Sequence, residues 1–162
     1  MKLQMNTRLA LYSVLEFASD PTRHIAAGEI AQRYGVSSHH LAKVLSELAR
    51  AGVVESVRGV GGGYRFAANA RRLTLMDVIQ MFEDFGTGDA ARREDGDDTP
   101  VGTALAAVLA EIDEIAKATF STITLATMLR LIERQRAEAA RGTERQPGAG
   151  ASPPARPARR RP

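Results

Sequence analysis

The chain has 162 residues and contains neither cysteine nor tryptophan. Without cysteine it can form no disulfide and offers no thiolate to a metal or an iron–sulfur core. No apolar run approaches the ~20 residues that a membrane-spanning helix requires. After Met1-Lys2-Leu3-Gln4, the residues Asn6, Thr7 and Arg8 interrupt any apolar core of a secretory signal. A soluble, cytoplasmic protein with no membrane partner is the expectation. The sequence also lacks a phosphate-binding glycine loop, a nucleophile–base motif and a metal-ligand cluster, so nothing in it supports an enzyme. What remains is a chain of ordinary apolar content, 44%, with room for one domain and an appendage.

The formal charge is only +3, but it is unevenly spread. Residues 86–100 carry two Lys/Arg against five Asp/Glu, whereas residues 137–162 carry six against two. Much of the high isoelectric point therefore comes from the tail, and it is weak evidence for nucleic-acid binding by itself.

The informative stretch is Ile25 to Phe66. A short helix is followed by the break Tyr34-Gly35-Val36-Ser37. A second helix then has apolar residues at Leu41, Val44, Leu45 and Leu48, one face of a 3.6-residue period. Ser37 stands where an N-cap is needed, and Ala51-Gly52 supplies the stop. Two β-rich runs, Val53 to Arg58 and Tyr64 to Ala67, flank Gly59-Val60-Gly61-Gly62-Gly63. Helix, tight turn, helix and glycine-tipped hairpin together point to a winged helix-turn-helix. The polar face of the second helix, with Ser38, His39, Lys43 and Glu47, is expected to enter a major groove.

The rest of the chain frames this unit. Asn6 to Ser19 predicts a first helix with almost no polar face, which must be covered on more than one side. Part of that cover is expected from a distant helix or a second chain. Thr74-Leu75-Met76-Asp77 has a capping-box pattern and starts a fourth helix that should end near Asp84. Residues 86–100 read as a flexible linker without periodicity. Val101, Leu105, Val108, Ile112, Ile115 and Thr119 then follow at alternating spacings of four and three, a heptad seam. A helix of ~20 residues is ~30 Å long, more than a small domain can cover, so the seam predicts a homodimer. Thr124 to Ile132 either extends this helix or closes the domain as a short one. The segment 137–162, rich in Ala, Arg, Gly and Pro, is expected to be disordered. The fold class is thus mainly α with a small β-hairpin wing and a long C-terminal dimerisation helix.

Val36-Ser37, Leu41, Leu45, Leu48, Ala51-Gly52-Val53-Val54 and the run Val57-Arg58-Gly59-Val60-Gly61-Gly62-Gly63-Tyr64 resemble the Rrf-two family of bacterial winged-helix repressors. The resemblance covers about Lys2 to Arg134. It implies a homodimer on double-stranded DNA, with the recognition helix in the major groove of a pseudo-palindromic operator. It further implies that Arg58 reaches toward the minor groove and that Ser38, His39 and Lys43 face bases and phosphates. The candidate DNA-binding set is Ser37, Ser38, His39, His40 and Lys43 on the helix, with Arg58, Gly61, Gly62 and Tyr64 on the wing. Many members hold an iron–sulfur cluster on three linker cysteines, some adding a histidine or an N-terminal aspartate; the histidines here, His24, His39 and His40, lie away from the linker. This linker has no cysteine, and Arg8 stands at the position that matches the aspartate. No cofactor and no metal site is therefore expected.

Blander readings compete with several of these. Adjacent His39 and His40 diverge by ~100° on a helix, whereas metal pairs use i, i+4 spacing. Asp95, Asp97 and Asp98 lack the spacing of a calcium loop and suit a hydrated linker. Arg50 and Arg65 fit phosphate contact or a solvated face equally well. A protein-interaction module that kept the fold and lost DNA binding is the alternative function. A small-molecule or protein effector is left open.

Overall fold

Residues 3–83 and 98–144 are described by the computed structural model, and these fall into two compact units dividing at Arg130 and Leu131. The expected linker, apart from residues 98–100, and the tail from residue 145 lie outside the described residues.

The first unit is built around α1 (Met5–Ser19). Its buried residues, Thr7, Leu9, Ala10, Leu11, Ser13, Val14, Phe17 and Ala18, are spread around the helix circumference. Three neighbours bury them: α3 (Ser38–Arg50), the short α4 (Leu75–Ile79) and strand β2 (Gly63–Phe66). The covering expected from a distant helix or a second chain is thus supplied within the unit. The all-round apolar character of α1 is therefore no sign of an intermolecular contact.

Helix α2 (Ala27–Tyr34) buries Ile30 and Ala31 and packs on α3. It stops at Gly35, whose φ of +64° is a left-handed conformation that glycine adopts at little cost. Ser37 caps α3, its hydroxyl accepting from the His40 N–H at 3.1 Å. Leu41, Val44, Leu45 and Leu48 are all buried, the face that the spacing selects.

Strands β1 (Val54–Val57) and β2 pair antiparallel, Val54 opposite Phe66 and Val57 opposite Gly63. The hairpin is tied to the chain before α2 by a two-bond bridge: Ile25 N–H donates to the Tyr64 carbonyl at 3.0 Å and Tyr64 N–H to the Ile25 carbonyl at 2.9 Å. Gly63 lies against this bridge, and a Cβ there would sit 2.5 Å from the Ile25 carbonyl oxygen.

The capping box at Thr74 is formed, with Asp77 N–H on the Thr74 hydroxyl and Thr74 N–H on the Asp77 carboxylate. α4 nevertheless ends at Ile79, short of the expected Asp84. Met81 and Phe82 N–H groups donate three residues back, to Val78 and Ile79, so the chain tightens out of the α-helical register.

Helix α5 (Pro100–Thr122) starts with the Thr99 hydroxyl accepting from Gly102 N–H, with proline at its first position. At 23 residues it is about 34 Å long. It runs three residues past Thr119 and is not extended by Thr124 to Ile132, which open a separate helix instead, one longer than the short closing helix expected. Ile123 takes an extended conformation and a separate helix, α6 (Leu125–Glu144), begins. The corner is clamped: Leu75 N–H donates to the Ile123 carbonyl at 2.8 Å and Leu125 N–H to the Leu73 carbonyl at 2.9 Å, with Leu125 wholly buried.

In the second unit, Leu131 to Glu144 continues α6. Residues 137–144 are helical rather than disordered. Ala137, Glu138, Ala139, Ala140 and Arg141 are all strong helix formers, and local propensity extends a helix where no core can form.

Gly63→Ala should lower unfolding free energy by about 1–3 kcal/mol, because the Ile25–Tyr64 bridge must open to admit the methyl. Urea denaturation of the two proteins measures this, and equal midpoints would contradict the bridge as the wing's anchor.

Candidate nucleic-acid interface

Burial of the apolar face of α3 decides which side chains remain outside. Ser38, His39, Lys43 and Glu47 are all exposed, His39 and Lys43 opposite that face and Ser38 and Glu47 on its flanks. The backbone N–H groups at the start of α3 lie at the positive end of its dipole, a setting suited to a phosphate. Ser37 is part of this end; its oxygen accepts the His40 N–H and so holds the helix start in shape, and the residue is exposed. His40 differs from His39. Its Nε2 lies 2.6 Å from Asn6 Oδ1, across 34 residues of sequence. The ring therefore ties the start of the recognition helix to the start of α1. Asn6 has no motif around it, and only this tertiary contact marks it.

Exposed cations divide into two groups. Arg23 pairs with Glu29, Arg33 with Glu16 and Glu29, Arg50 with Glu47, and Arg65 with Glu55 across the hairpin. Lys43 and Arg58 have no carboxylate partner among the described residues. Arg50 and Arg65 thus spend their charge internally. Lys43 stands on the outward face of α3 and Arg58 at the neck of the wing; Arg71 and Arg72, after the hairpin, are likewise exposed and without a carboxylate partner among the described residues.

The wing's glycines serve distinct needs. Gly59 and Gly61 have φ of +112° and +77°, and the Gly62 N–H donates to the Gly59 carbonyl at 2.9 Å. A Cβ on Gly62 would lie 2.3 Å from the Val57 carbonyl oxygen. Gly61 and Gly62 therefore shape the loop that carries Arg58. Tyr64 is half-buried, its ring 6.3 Å from that of Phe17, so its side chain fastens the wing to α1.

A polar brace sets α2 against α1. The Tyr12 and Tyr34 rings stack at 4.8 Å, and the Tyr34 hydroxyl donates to Glu16 at 2.8 Å. Arg8 lies over the Tyr12 ring at 5.8 Å and donates to its hydroxyl. Burial first, and then the hydrogen bond and negative charge of Glu16, push the Tyr34 phenol up to about 12.

The seam of α5 is uncovered. Val101, Leu105, Val108, Ile112 and Ile115 are 53–77% exposed, and Thr119 is exposed with its hydroxyl donating to the Ile115 carbonyl. No group of three or more His, Cys, Asp or Glu among the described residues could hold a metal. Among the described residues no helix is long and apolar enough to cross a membrane.

A recognition helix after a tight turn, followed by a glycine-tipped hairpin, defines a winged helix-turn-helix, the architecture of DNA-binding regulators. The chain belongs to the Rrf2 family, described as iron-dependent transcriptional regulators, which it matches over residues 3–131. BadM of Rhodopseudomonas palustris, which bears an HTH-type transcriptional regulator name, is 47% identical over 142 residues, 88% of this chain and 90% of its own. IscR of Vibrio campbellii is 34% identical over 104 residues, 64% of this chain and 61% of its own. Among solved structures, IscR of T. potens matches with a TM-score of 0.67 at 24% identity, covering 83% of this chain and 90% of that one. CymR, the global cysteine regulator of B. subtilis, matches with a TM-score of 0.64 at 26% identity, covering 81% and 98%.

Tyr34 gives the brace a pH signature. Its folded value lies above the ordinary 10.0, so the neutral phenol contributes stability in full below that value, and the contribution is lost as pH rises through about 12. Tyr34→Phe should show a shallower fall of Tm than the parent between pH 10 and 12. Thermal melts across that range check it.

Proposed function

We propose that this chain is a sequence-specific transcriptional repressor that binds a pseudo-palindromic operator as a homodimer in the cytoplasm, without an iron–sulfur cluster. One observation carries the DNA-binding part: Lys43 and Arg58, both without carboxylate partners among the described residues, stand on the exposed face of α3 and at the neck of the wing that follows it. Lys43, with Ser38 and His39, addresses the major groove and its phosphates. Arg58 addresses the narrow, strongly negative minor groove beside it. Ser37, His40, Gly61, Gly62 and Tyr64 hold these groups in place.

The seam of α5 supports the dimer. Five large apolar side chains, each more than half exposed on one helix face, form a contiguous patch of the kind that marks an association site. A two-fold pair of recognition helices would then span half-sites about one DNA turn apart, ~34–36 Å.

The residues present do not fit the cluster that the family name evokes. The chain holds no cysteine, and Arg8, a cation engaged with Tyr12, takes the place of an acidic ligand. Without a cluster, what remains open to it is a small-molecule or partner-protein effector, or control by abundance alone.

Lys43→Ala should weaken binding to all duplexes alike and reduce the salt slope by about one unit, whereas Arg58→Ala should cost about 1–3 kcal/mol chiefly at A/T-rich positions. Fluorescence anisotropy titrations on matched and altered duplexes, at several salt concentrations, separate the two. Equal losses at every sequence would refute the division.

Val108→Glu with Ile112→Glu should give monomers and remove operator binding, because two carboxylates per chain would lie in the desolvated seam. Sedimentation velocity showing an unchanged dimer would move the interface elsewhere.

A further inference from the structure

The wing tip carries one side chain that the fold does not use. Gly59 to Gly62 form a tight turn closed by the Gly62 N–H to Gly59 carbonyl bond. Gly61, its third residue, has the positive φ that a type II turn demands. Val60 therefore takes the second position, where proline is favoured and turn tips otherwise carry small or polar residues. Its side chain is fully exposed and packs on nothing. Between Arg58 and Gly63 every other residue is glycine and none is acidic. The tip is thus as slender as a polypeptide ribbon allows, with one cation at its neck and one branched apolar group at its end.

This pairing suits the minor groove, which is ~6 Å wide. There A·T and T·A pairs present only acceptors, while G·C adds the guanine 2-amino donor. A guanidinium satisfies acceptors. A valine offers no acceptor to the 2-amino group and occupies the volume it needs. Apolar side chains pressed into the minor groove are a general device of proteins that bind there.

We propose that Val60 is the specificity-determining side chain of the wing, its methyl groups excluding the guanine 2-amino group so that A·T pairs are favoured beneath the tip. Arg58 supplies attraction, and Val60 supplies the steric test. This rests on the DNA-binding reading above.

The probe is a duplex enriched by the wild-type dimer from a random-sequence pool. Copies are synthesised with 2,6-diaminopurine in place of single adenines, which adds a minor-groove amino group and leaves the major-groove edge unchanged. At the pairs under the wing, wild-type affinity should fall on the order of tenfold. Val60→Ala should reduce that penalty to less than about threefold, and Val60→Ile, which keeps the branched apolar group, should retain it. Thermal melts of both variants should match the wild type, since Val60 touches nothing in the fold. Equal penalties for wild type and Val60→Ala at every position would overturn the proposal, as would a penalty abolished only by Arg58→Ala. In either case the pool would still have yielded a binding sequence. A pool from which no sequence is enriched would instead sink the DNA-binding reading, and this proposal with it.

Discussion

Burial of Leu41, Val44, Leu45 and Leu48 leaves α3 one rotational setting, and the interface depends on that setting. The four side chains occupy one face, and turning the helix by one residue would rotate it ~100° and bring polar groups into the core. Such a rotation would expose leucine where Ser38, His39 and Lys43 now stand. The outward face is thus defined by what is hidden. The Ser37 cap and the His40–Asn6 contact refine the same setting at the end of the helix that would meet DNA first.

The wing is positioned by a different kind of constraint. Backbone hydrogen bonds between Ile25 and Tyr64 join the hairpin to the segment leading into α2. The Tyr64 ring packs by Phe17 of α1, so hairpin and helix-turn-helix share one core. Gly62 and Gly63 are required where the backbone approaches other backbone too closely for a Cβ. Rigidity at the base of the hairpin and slenderness at its tip follow from one glycine run.

Helix α5 shows two environments along a single element. Its end is held by the clamp at Ile123 and Leu125, next to α4. The five large apolar residues of its seam stay in solvent. Heptad spacing shows that a stripe exists but not what it faces, since a stripe serves a neighbour in the same chain as well as one in another. In α1 the same ambiguity is resolved inside the unit: α3, α4 and β2 cover it.

Much of the architecture was legible in the residues themselves because it rests on local chemistry. Periodicity marks α3 and α5, Ser37 and Thr74 mark helix starts, and Gly59 to Gly63 mark the wing. These signals act over four or five residues, the span of a turn or a cap. Three features were not legible, for one reason. The His40–Asn6 contact, the clamp of Ile123 and Leu125 on residues 73–75, and the pairing that neutralises Arg65 but not Arg58 all join residues that no short-range pattern relates. The early end of α4 and the helical course of residues 137–144 stand between these cases, set by local hydrogen bonding that a hydrophobic pattern does not report. The sequence by itself determined which faces are apolar and where the chain turns, since these follow from side-chain type and spacing. Only the tertiary structure decided which polar groups are spent on one another and which remain for a partner, because that depends on distances across the fold.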